Sequence, residues 1–300
     1  MSHGFRAALL PLVLAGSVWS GPTLAEPVPA DCATLTDALR TVPGYVLTVP
    51  PAGPEGGWCV LDGALLRSEA EGNPDLSAER LRLRAAAADG VPVMLEVDMV
   101  GLRIRPKAGD RALDDRVRGL LRLQSADLRL LAVADPATGS LRIETLVLRL
   151  SGGTEVQLSA EVAGAGLATL ATGRLVALDL SWRSDGRLLR PLMALAGEGL
   201  APDLTESQAV DAAREALRRG LAALPEAMFQ DESRSALERV VTAMPQGRGR
   251  LALSLRSAEG IGASRLLMAA LVGDPLGPEA LAQLFQGARL TADWTPGMAP

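Results

Sequence analysis

Residues 79 to 182 alternate apolar and polar side chains, and a period of two puts every second side chain on the same face of a strand. That pattern commits a chain to sheet with one buried side. In TEVQLSAEV at 154 to 162, Val156, Leu158, Ala160 and Val162 share one face and Gln157, Ser159 and Glu161 the other. From Val176 to Trp182 the arrangement repeats, with Val176, Leu178, Leu180 and Trp182 against Ala177, Asp179 and Ser181. Earlier, Leu81 and Leu83 alternate with Arg80, Arg82 and Arg84, and Val93, Leu95, Val97 and Met99 alternate with Met94, Glu96 and Asp98. At Gly101 the parity flips, since Leu102 and Ile104 are apolar against Arg103 and Arg105. A glycine at such a slip predicts a bulge or sharp bend.

Short connections make these strands antiparallel neighbours. Asp89-Gly90 and Gly152-Gly153 suit two-residue turns, and Pro136 to Gly139 suits a slightly longer loop closed by glycine. After Trp182 the period becomes helical. Asp185-Gly186 turns into RLLRPLMALAG, and Thr205 with Gln208 reads as a capping box for a helix reaching about Arg219, with Gly220 as its stop. Further helices are expected at Glu232 to Ala243, Ser264 to Val272 and Pro278 to Gln286, with alternating strands at Gly249 to Arg256 and Ala288 to Trp294. The expected class is α+β: a long curved antiparallel β-meander, with C-terminal helices packing on or beside the sheet. One domain is expected over 26 to 300, with sheet mainly over 26 to 182 and helices plus two returning strands over 183 to 300.

Residues 1 to 25 carry Arg6, an apolar run from Ala7 to Val18 and the small-residue end Thr23-Leu24-Ala25. This predicts a secretory signal peptide cleaved after Ala25 and a periplasmic location. No later run approaches the roughly twenty apolar residues that span a bilayer, so no transmembrane segment is expected after cleavage. His3, the only histidine, leaves with the leader, and 29 basic against 35 acidic residues remain, a formal charge of −6. Without imidazole a Ser/His/Asp triad, a Cys/His pair and the commonest zinc ligation are closed to the mature chain. The acidic balance argues against nucleic acid as a partner.

Cys32 and Cys59 are the two cysteines, and an even count in an exported chain predicts one disulfide, closing a loop of 28 residues. Two polar features admit two readings each. The stretch from Pro106 to Arg116, with Asp110, Asp114 and Asp115, is a calcium loop or a solvated connection, a short helix included, into a strand from about Val117 to Val133. Glu96 and Asp98 are an acid/base carboxylate pair or a charged solvent face. LDLSWRS at 178 to 184 and LALSLRS at 251 to 257 share five of seven residues, each before a glycine and a helix beginning Arg-Leu-Leu, which leaves open a duplicated strand, turn and helix unit.

The export signal, the segment WCVLDGALLRSEAEGNPDLSAERLRLRA, the long hairpinned strands and the unit after LDLSWRSDG resemble the AsmA-like and related uncharacterised periplasmic proteins of Gram-negative envelopes, over residues 58 to 182. The resemblance implies a curved sheet whose concave apolar face meets lipid, and a role in envelope maintenance. It carries over no functional residue, and those proteins are often much larger and membrane-anchored.

Three functional classes follow. A lipid- or acyl-binding groove would draw on a composition rich in Leu, Ala and Val with only eight aromatic residues, and Leu95, Val97, Leu158 and Leu178 are its candidate lining. A structural or protein-interaction module, docking an envelope protein, would bury the same face as its own core. An enzyme is not expected, because no GxSxG, SxxK, phosphate loop or metal cluster is present, and no cofactor is expected.

Overall fold

The computed structural model describes residues 27–42, 44–48, 53–69, 74–107, 125–200, 203–262 and 278–297. The expected signal peptide, the helix at Ser264 to Val272 and most of the polar stretch after Pro106 lie outside these. The chain divides into two compact units, Met1–Ala134 with Gly166–Leu170, and Asp135–Ala165 with Ala171–Pro300. The class is α+β, with antiparallel strands as its main component, as the alternation demands.

The first unit holds β1 (Val28–Pro29), α1 (Cys32–Arg40), β2 (Tyr45–Thr48), β3 (Gly53–Glu55), β4 (Trp58–Ser68), β5 (Asp75–Ala88), β6 (Val91–Arg105) and β7 (Ala126–Asp135). Strands β4 to β7 are neighbours in chain order, β2 and β3 add to β4, and β1 pairs with β5. At about 3.3 Å per residue, the fourteen and fifteen residues of β5 and β6 reach roughly 45–50 Å. Asp89 and Gly90, at φ 51° and 77°, make the turn between them. Gly101 adopts φ 65°, and the pairing of β6 with β7 shifts register between Met99 and Leu102, so the parity flip is a bulge. Gly63, at φ 69°, marks the same level of β4.

Helix α1 was not foreseen from the sequence. Asp31 caps it, its carboxylate accepting from the Thr34 amide at 2.7 Å, and Leu35, Leu39 and Val42 recur on one face. Leu35 and Leu39 close over Leu61, Leu81, Leu83, Leu95 and Val97 to form the core of the unit.

The second unit pairs β8 (Ser140–Leu150), β9 (Glu155–Ala163), β10 (Arg174–Ser184), β11 (Gly249–Gly262) and β12 (Ala288–Pro296) in chain order. Among the described residues its helices are α2 (Leu189–Leu200), α3 (Glu206–Ala223), α4 (Ser233–Ala243) and α5 (Pro278–Leu284). The capping box at Thr205 and Gln208 is formed, Pro278 opens α5, and α4 stops before Pro245 as expected. Gly220 does not end α3. Buried Leu221 carries the helix on to Ala223, and Pro225 follows as the breaker. On the sheet, α4 lays Ala236 and Val240 against Leu251 and Trp294, whose ring stacks on Trp182 at 6.5 Å. The outer edge of β12 is blunted, since the Gln230 amide donates to the Leu290 carbonyl and the Ala292 amide to Ser233 Oγ.

The two LxLSxRS segments pair with each other. Leu178 opposes Leu255, Leu180 opposes Leu253 and Trp182 opposes Leu251, so the echo has a local two-fold centred on Leu180 and Leu253.

Candidate functional site

The strand pairing of the first unit stacks aliphatic rows beneath α1. Leu61, Leu81, Met99 and Leu128 form one row, and Cys59, Leu83, Val97 and Leu130 the next. The Cys32–Cys59 disulfide ties the first residue of α1 to β4, with the two Cα atoms 4.9 Å apart. From there the helix points toward the Ser68 end of β4, because the chain after it enters β2 where Tyr45 pairs with Ser68. Nine helical residues advance only about 13.5 Å. The strand from Cys59 to Ser68 covers about 30 Å. The roof is therefore shorter than the floor.

What is left between them is an aliphatic cleft of about 100 Å³. Leu35, Ala38, Leu39 and Val42 line it from above, and Leu83, Leu95, Val97 and Met99 are among those lining it from below. Of its sixteen lining residues only Ser77 has a polar side chain, and none is aromatic. At the disulfide end Cys59 is 3% exposed and Val97 4%. At the other end Leu66, Leu76 and Leu102 are half-buried, and Ile104 beyond them is 43% exposed. Such a surface binds by exclusion of water and by shape, with no directional chemistry.

The opposite face of these strands is charged. Arg82 pairs with Asp98 and Arg84 with Glu96 across β5 and β6, and both guanidinium groups lie over the Trp58 ring, 5.1 and 4.8 Å from its centre. Glu96 and Asp98 thus sit in arginine pairs on a charged face. At the strand ends Lys107 Nζ reaches Asp75 at 2.6 Å. Burial raises the Asp75 pKa, but the hydrogen bonds from Lys107 and the Ser68 amide outweigh that and hold it below the ordinary aspartate value.

Of the four predicted lining residues, Leu95 and Val97 come together in this cleft. Leu158 and Leu178 belong to the second unit. There Leu158 is half-buried in a row with Leu146, Leu180 and Leu253, and Leu178 packs on the cluster of Met228, Leu255 and Leu290. Those strands carry a shallow depression of about 520 Å³ lined by Leu146, Leu158, Leu180 and Leu253 together with polar residues that include Ser159, Ser181, Asp179 and Asp293. Both carboxylate oxygens of Asp179 accept from Arg256 Nη2, at 2.9 and 2.8 Å, which lowers its pKa. Among the described residues no three His, Cys, Asp or Glu side chains converge to hold a metal ion.

The roof residues Leu35, Ala38, Leu39 and Val42 are the part of the cleft that sequence reading missed. Their signal was the spacing of three, four and seven after Leu35, in a stretch overshadowed by the nearby cysteine. No helix among the described residues is long and apolar enough to cross a membrane. Comparison with protein-family models, curated proteins and solved structures finds no match to the chain.

Proposed function

We propose that this is a non-enzymatic periplasmic protein of envelope maintenance, and that the cleft beneath α1 holds an acyl chain. The observation that carries the reading is the cleft's lining, aliphatic on both floor and roof with a single hydroxyl. Acyl chains offer nothing to hydrogen-bond and no ring to stack, and this surface asks for neither. The disulfide and the expected export signal support an oxidising compartment. A volume of about 100 Å³ is below the roughly 300–1,000 Å³ of sites that enclose a drug-sized ligand, so the cleft takes the end of a chain and leaves the rest outside. Native mass spectrometry of the mature protein purified without detergent, followed by lipid extraction, tests this. A stoichiometric fatty acid or phospholipid is the expected result, and an apo mass unchanged after incubation with lipid overturns it.

The small volume favours a second reading, a structural or protein-interaction module whose apolar face is its own core. Under that reading no lipid co-purifies and an envelope protein does.

A further inference from the structure

The floor of the cleft holds a pair of short side chains between pairs of leucine, placed there by a change of phase that three strands share. Building on the acyl reading above, we infer that Ala64 and Ala78 set the bore of the cleft, a slot for one unbranched methylene chain that excludes branched or ring-bearing apolar molecules of the same carbon count.

Register is the same on both sides of a row that joins Gly63, Glu79 and Gly101. Asp62 pairs with Arg80 and Ala64 with Ala78, while Arg80 pairs with Val100 and Ser77 with Arg103. Alternation continued from Leu61, Leu81 and Met99 would aim this row at α1, with the Glu79 carboxylate in the middle of an aliphatic floor. Instead Gly63 and Gly101 take positive φ, at 69° and 65°, and the three strands change phase together. Glu79 turns outward, its side chain 63% exposed, and meets Arg103 at 3.2 Å. The next side chains beneath α1 are those of Ala64, Ala78 and Leu102.

The two alanines pair with each other across β4 and β5, and both are buried. On one side of them Leu61 pairs with Leu81, and on the other Leu66 pairs with Leu76. Ala38 adds a third methyl to the lining from the roof. Short side chains between long ones leave the room of the cleft at their own level. Along β5 the lining runs from Leu76 to Ala85, roughly 30 Å of strand. A volume of about 100 Å³ drawn out over that length is long and thin. Its walls give little, because Leu39, Leu81, Leu83 and Val97 are buried members of one close-packed core, where added volume forces side chains off their rotamers. A methylene chain fits between such walls. A branch or a ring has to part them.

The test is calorimetric titration of the mature protein with dodecanoate and with 6-cyclohexylhexanoate, which has the same head and the same number of carbons, each below its micelle concentration. Dodecanoate is expected to bind about tenfold tighter or more, the usual scale of discrimination by an apolar pocket. Ala78→Val narrows the slot and should weaken dodecanoate by about the same factor. Ala38→Leu narrows it from the roof, on a helix that accepts leucine readily, and keeps the test available if the strand variant does not fold. Leu39→Ala opens the roof and should erase most of the difference between the two ligands. Equal affinity of wild type for the two carboxylates, or folded narrowing variants that bind dodecanoate as wild type does, overturns the slot while the acyl reading stands. No binding of either ligand overturns both.

Discussion

Among the described glycines of the second unit, Gly197 in α2 lies closest to neighbouring backbone, and that turns a substitution that normally stabilises a helix into one that breaks a contact. A Cβ added at Gly197 would lie 1.8 Å from the Ala209 carbonyl oxygen, 2.4 Å from its carbon and 2.7 Å from its Cα. All three atoms are backbone of α3, so no rotamer relieves the overlap. Restoring even a 3 Å contact requires the helices to part by more than 1 Å. That movement unseats Met193, Ala194, Val210 and Ala213, which form the core between them. Gly→Ala in a helix gains about 0.8–1 kcal/mol of propensity, while overpacking costs about 1–3 kcal/mol and at times more. Against a backbone obstacle the upper part of that range applies, and Gly197→Ala should lose about 1–2 kcal/mol net. Gly220→Ala is the internal control. Its added methyl meets nothing within 4 Å in α3, so the propensity gain stands alone at up to about 1 kcal/mol. Urea denaturation followed by emission of Trp182 and Trp294 reads both, and with a slope near 2 kcal/mol/M the midpoints should move about 0.5–1 M down and up to about 0.5 M up. A Gly197→Ala midpoint at or above wild type would refute the close crossing of α2 and α3.

Leu61 is fully buried at the centre of the first core, so Leu61→Ala should cost about 2–5 kcal/mol, seen as a lowered melting temperature in calorimetry. Replacing both disulfide cysteines with serine frees a 28-residue loop in the unfolded chain and should cost about 3.6 kcal/mol by the chain-entropy relation, measured by urea unfolding. Glu155 is held below the ordinary glutamate pKa of about 4.3, first by the hydrogen bond from Arg149. Its stabilisation is complete above that ordinary value and drains away as pH falls through the lower folded value. Glu155→Gln should therefore flatten the acid limb of a stability-against-pH profile and leave the neutral plateau's slope unchanged. Arg256→Gln, at a half-exposed pair, should cost less than about 1 kcal/mol by the same unfolding assay.

Legibility followed the period of the side chains. The strands of 79 to 182 could be read because each has one buried face, and Leu81, Leu83, Val97 and Val162 are where alternation puts them. Gly101 could be read because the chain changes parity there. Helix α1 escaped because nine residues give only about two and a half turns of pattern, and because Cys32 points toward a disulfide on its own. Half of the candidate lining was legible for the same reason. Alternation says which face Leu95, Val97, Leu158 and Leu178 occupy, but only tertiary packing decides what covers that face. In the first unit α1 covers it, and in the second Leu178 is taken up by Met228 and Leu255.

The central claim is that the cleft under α1 takes an acyl chain, and methyl-resolved NMR on Leu/Val-labelled protein titrated with dodecanoate tests it most directly. The account predicts saturable shifts at Leu83, Leu95 and Val97, with Leu158 and Leu178 unmoved. Silence at the first three throughout the titration, or shifts confined to Leu158 and Leu178, would contradict it.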